Sequence, residues 1–254
     1  MGDMLENQAL RTDAVQVVVG PADLYGIHRK LIGIALLLVL AHCGAMVLKY
    51  YAGNDIVFGL VPLFDFYEEQ NIPTYFSTLN LLLTSALLFA IAHLARRGDR
   101  GKQLAVAWRV LAAGFLFMSM DEFADLRQIL SRAVKAASGG SFEKVPLLTV
   151  AWTVPVAALL VVLAFYFVPF LLRLKKVYMI NFALAGAAFV FAAIGFETIE
   201  GNHVLQTHGV RDVAFMLMVT AEETMEIFSI LYFQYFLLRY LNEYHRNIFL
   251  RLSY

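Results

Sequence analysis

The feature that most constrains this chain is a series of apolar runs long enough to cross a bilayer, separated by short polar turns. Residues 31–48, 75–95, 103–120, 146–172, 177–196 and 214–238 are each dominated by Leu, Val, Ile, Ala and Phe. About 18 apolar residues suffice for a helical span. Lipid offers no hydrogen-bond partners, so such segments must satisfy their own backbones as helices or closed barrels. At this length and continuity they read as helices. Composition agrees: 60% of the 254 residues are hydrophobic and 16% charged, against about half and a quarter in a soluble domain. The expected fold is all-α, an integral bundle of six transmembrane helices.

Basic residues set the orientation. With the amino terminus inside, 14 of the 20 Lys and Arg residues fall on inner segments, so both termini are expected in the cytoplasm of a bacterial inner membrane. The chain divides into a cytoplasmic or interfacial segment 1–30, a membrane domain 31–238 and an interfacial tail 239–254 mixing aromatic and basic residues. The first residues show no basic patch followed by an apolar core, so no cleaved signal peptide is expected. Balanced charge, 20 acidic against 20 basic, argues against nucleic acid. The lone Cys43 excludes an internal disulfide and is expected to be a small packing residue.

One run breaks the apolar rule. Glu222, Glu223 and Glu226 lie inside residues 214–238. A charge at mid-membrane costs about 3 kcal/mol or more. At helical spacing all three can crowd one side, which must then face protein, cation or water. The topology brings further acids to the same depth: Asp121, Glu122 and Asp125 at the outer end of the third span, and Glu197 and Glu200 at that of the fifth. Two chemistries make such crowding tolerable. Protons can neutralise some carboxyls, or a metal can be shared between facing helices as in di-iron and di-manganese bundles.

The candidate metal ligands are Asp121, Glu122, Glu197, Glu200, His203, Glu222, Glu223 and Glu226. Glu200 and His203 have the Glu-x-x-His spacing of such bundles, provided that Gly201-Asn202 does not end the helix first. Iron, manganese, zinc and calcium are not distinguished; without a histidine, an oxygen-only site suits calcium or magnesium. His42 and His93 read as packing residues, and His28 and His208 as solvated. The sequence contains no Gly-rich phosphate loop, no Gly-x-Ser-x-Gly elbow and no His-x-x-x-His pair.

Three passages together resemble an uncharacterised family of small bacterial polytopic membrane proteins. They are Asn71-Ile72-Pro73-Thr74-Tyr75-Phe76-Ser77, Phe117-Met118-Ser119-Met120-Asp121-Glu122, and Glu222-Glu223-Thr224-Met225-Glu226. In that family the Asp-Glu pair is followed by His-Glu, where this chain has Arg127-Gln128: two ligands fewer and one cation more. The resemblance supplies no reaction. Three functions follow as expectations: a membrane protein with an outward-facing metal site, an accessory subunit of a larger membrane complex, or a cation- or proton-coupled transporter.

Overall fold

A computed structural model describes residues 20–96, 101–139 and 150–244. Eight helices and no strands occur among them. We number them α1 (Pro21–Tyr50), α2 (Leu60–Phe64), α3 (Ile72–Ala95), α4 (Gly101–Ala124), α5 (Leu126–Ser138), α6 (Thr153–Leu171), α7 (Lys176–Gln206) and α8 (Val213–Tyr244). Five of them, α1, α3, α4, α6 and α7, are long and apolar enough to cross a membrane. Their outward faces carry unburied aliphatic and aromatic side chains, such as Leu37, Leu40, Val162 and Phe165. Such a continuous apolar exterior suits lipid and not water.

Helix starts explain most departures from the expected boundaries. α1 begins at Pro21 and not near Leu31, because Gly20 donates its N–H to Asp23 (2.9 Å) and proline occupies the first turn. Residues 21–30 are therefore helix; residues 1–19 lie outside the described part, as do 245–254 of the expected tail. α3 starts at Ile72 under Asn71, whose side chain accepts the Thr74 N–H at 3.1 Å and donates to the Asp65 carbonyl at 2.6 Å. That cap ties the helix to the preceding loop, which itself holds a short 3₁₀ turn and α2. Lys49 and Asp65 close the same corner with a 2.7 Å ion pair.

The expected extension of the third span is present as a separate helix. Asp125 takes a left-handed conformation (φ 49°, ψ 50°) and breaks α4 from α5. α5 then ends on Gly139, also left-handed (φ 60°), as a helix C-terminus favours. α7 runs past the expected stop at Phe196. A π turn over Phe191–Phe196 connects its two α-helical parts, and Gly201-Asn202 do not end it. Gly195 lets the Phe191 ring pack close to that turn, since a Cβ there would lie 3.0 Å from the ring and push it aside.

α8 is the axis of the molecule, packing on α1, α3 and α7. At one end, Phe233, Phe236, Leu237 and Tyr240 meet Trp108, Tyr178 and Phe182. Nearer its start, Phe215, Met216, Val219 and Ile227 pack with Phe66 and Phe76. Between these cores lies a buried polar knot. Gln234 donates to Asn80 Oδ1 (2.7 Å) and Thr84 Oγ1 (2.8 Å), and Thr84 donates to the Asn80 carbonyl (2.8 Å). Replacing Gln234 with Leu strands the Asn80 acceptor, and we expect a loss of about 2 kcal/mol. A lowered midpoint of thermal unfolding in detergent, with unchanged helix content, is the measurement that checks it.

Several single residues differ from their expected settings. His42 is a satisfied core residue as expected: it accepts the Phe66 N–H (3.1 Å), bonds Thr220 Oγ1 (2.9 Å) and stacks on Phe66. His28, expected in solvent, is 5% exposed, and its Nε2 bonds the Leu231 carbonyl at 2.9 Å. It pins α1 to α8. Cys43 is exposed on the surface of α1 and not packed.

Candidate metal centre

The carboxylates gather at one end of the bundle, on the end of α4, the second half of α7 and the first half of α8, within the field of Arg127 of α5. They form two neighbouring groups with different means of neutralisation. The first comprises Glu197, Glu200 and Glu222, each with an oxygen within 4.8 Å of an oxygen of the other two. Glu197 and Glu200 stand one turn apart on α7, immediately after the π turn, a kind of irregularity that is frequent at functional sites. Glu222 faces them from α8, with a carboxylate oxygen within 4.8 Å of theirs.

Burial makes this trio demanding. Glu200 and Glu222 are 6% and 7% exposed. Glu197 accepts the Trp152 indole N–H at 3.4 Å, but Oε1 of Glu200 is buried with no hydrogen-bond partner. Buried carboxylate oxygens are normally paired, because stripping one of water costs several kcal/mol. Facing carboxyls at this separation require a proton or a cation between them.

The second group is built around Arg127. Its Nη2 lies 3.3 Å from Glu69, and its Nε lies 3.5 Å from Asp121 and 3.9 Å from Asp125. Asp121 also accepts the Arg127 backbone N–H at 2.9 Å, capping the first turn of α5. Burial by itself disfavours the charged guanidinium, yet Glu122, Glu69, Glu226 and Asp121 outweigh it and hold the Arg127 pKa above its ordinary value. Glu223 lies within the same electrostatic neighbourhood as Glu226, Glu122 and Arg127. Partial burial raises the Glu69 carboxyl, against the pull of Arg127.

The structure thus distributes the eight candidates among three settings. Glu197, Glu200 and Glu222 converge. Asp121, Glu122, Glu223 and Glu226 share the field of Arg127, which also reaches Glu197. His203, although helical, bonds Asp212 through Nε2 at 2.9 Å. Asp212 also accepts the Phe215 N–H, and these two bonds, the backbone one first, hold its carboxyl below the usual range.

The main correction concerns the source of positive charge. From sequence, the acids needed cations or protons from outside the chain; Arg127 supplies part of that charge from within. Its position five residues after Glu122, at Arg127-Gln128, was visible as an added cation, but the left-handed Asp125 that folds it back was not. Trp152 and Glu69 were also missed. Neither has a spacing signal, since each reaches the site from another segment.

A family model spans residues 31–240, from the start of the first apolar run to the end of the last. Its description is a domain of unknown function, DUF8692. The chain belongs to this family. No curated protein and no solved structure matches it. Membership in DUF8692 accords with the uncharacterised family that the sequence motifs resemble.

Proposed function

We propose that this DUF8692 protein is a six-span membrane protein that binds a divalent cation at Glu197, Glu200 and Glu222. In this reading α8 is the sixth span and both termini face the cytoplasm of a bacterial inner membrane, which puts the site in the outer half of the bilayer. The observation that carries the proposal is the partnerless, buried Glu200 Oε1 beside two other carboxylates. A cation there satisfies the orphaned oxygen and cancels the mutual repulsion at once. All three donors are hard oxygens, with His203 engaged elsewhere, so magnesium, calcium or manganese fits better than zinc.

The rest of the predicted set belongs to the support of this site. Arg127 pairs with Asp121 and offsets part of the charge on Glu122 and Glu226, so the added cation is assigned to the trio. Elemental analysis of the purified full chain tests the proposal. We expect about one equivalent of a divalent metal, lost in both Glu200→Gln and Glu222→Gln and kept in His203→Gln. Wild-type protein that stays metal-free after dialysis against magnesium, calcium and manganese overturns it.

A second reading, an accessory subunit whose acids hold its own helices together, is favoured by the Arg127 network, which joins the loop before α3 to α4 and α5. For a coupled transporter, a path beyond the acids would have to use the buried polar groups of the Gln234 knot. They are bonded to one another, which favours a structural over a conducting role.

A further inference from the structure

Between the first half of α1 and the middle of α8, from Phe228, just after the carboxylates, to Tyr235, lies a cleft of about 490 Å³. Ile32, Phe228 and Leu231 form its apolar floor, and Tyr25, Tyr235 and Arg29 stand at its rim. Tyr25 and Tyr235 meet edge to face with ring centroids 6.2 Å apart. His28 forms the back wall, its imidazole already bonded to the Leu231 carbonyl. Arg29 is exposed, and among the described residues no carboxylate pairs with it. Arg239 lies close enough to act on the Tyr25 phenol. The cleft is thus an apolar slot between α1 and α8 whose lining includes one exposed arginine and two amphipathic rings.

We infer that this cleft binds an anionic phospholipid, with the phosphate at Arg29 and an acyl chain along Ile32 and Phe228. Charge and polarity both select this occupant. Basic pockets between transmembrane helices attract anionic head groups, and Tyr rings favour the level at which head group and chain meet. The apolar floor needs a chain, which free phosphate lacks. A second copy of this protein would have to bring a carboxylate to Arg29.

Native mass spectrometry of the full chain in dodecyl maltoside, titrated with phosphatidylglycerol or phosphatidylcholine, tests the inference. Phosphatidylglycerol should bind more tightly by about fivefold, the factor that corresponds to roughly 1 kcal/mol for one basic residue. Arg29→Gln should abolish the difference and Arg29→Lys retain it. Ile32→Trp, which fills the floor, should reduce retention of both lipids. Equal binding of the two lipids overturns the inference. So does a preference that survives both Arg29→Gln and Ile32→Trp, displacement by equimolar inorganic phosphate, or a protein dimer that Ile32→Trp dissociates without any lipid preference. Metal content is read separately and is expected to be the same in every one of these variants.

Discussion

Replacing Arg127 with Ala should destabilise the protein by about 2 kcal/mol, between the scale of an exposed ion pair and that of removing one partner from a fully buried one. The guanidinium has carboxylates around it on three elements: Glu69 before α3, Asp121 in α4, and Asp125 at the break into α5. Its side chain is 30% exposed and that of Asp121 is 21% exposed, so screening moderates the loss without removing it. Beyond these contacts it offsets Glu122 and Glu226. Without it, several acids face each other across a poorly solvated space. Thermal unfolding in detergent should show the deficit at neutral pH. It should narrow as acidification protonates the carboxyls, because the repulsion then disappears in the variant. Adding Glu226→Gln to Arg127→Ala should recover part of the loss, the mark of a coupled pair. A variant as stable as wild type at neutral pH would mean that the acids are already neutral by other means.

The second large effect separates the two carboxylate groups. A ligand that binds only the folded chain stabilises it by about 2.7 kcal/mol at a hundred times its dissociation constant. Saturating the protein with its preferred divalent cation should therefore raise the unfolding midpoint, and chelator should reverse the rise. Glu200→Gln and Glu222→Gln should abolish the response. Glu223→Gln and Glu122→Gln, on the Arg127 side, should leave it in place. An equal loss in all four would merge the groups into one site. The same rise in every variant would move the cation away from α7 and α8 altogether.

α8 shows why composition alone misjudges the place of a helix in a bundle. Glu222, Glu223 and Glu226 set it apart from the five helices apolar enough to face lipid. Yet it is the most enclosed helix, with Val219, Ile227, Leu231 and Leu237 buried along its length. A helix walled by others has no need of an apolar surface all round, and its charges need only meet the right neighbours.

Local patterns made much of this legible. Apolar runs reported the long helices, Pro73 marked the start of α3, and helical spacing placed Glu197 with Glu200 on α7 and Glu222 with Glu226 on α8. Those features depend on neighbours in the chain, where periodicity carries the information. The partners across space depended on backbone events that spacing does not encode. A left-handed Asp125 returned Arg127 to the acids, a π turn before Glu197 set the facing of α7, and packing of α1 on α8 buried His28. Reading along the chain was enough to find helices long and apolar enough to cross a membrane, and too many acids in one of the apolar runs. Which acids pair with an internal arginine, and which three converge across α7 and α8, emerged from the fold in three dimensions, because ion pairing depends on distance through space and not on separation along the chain.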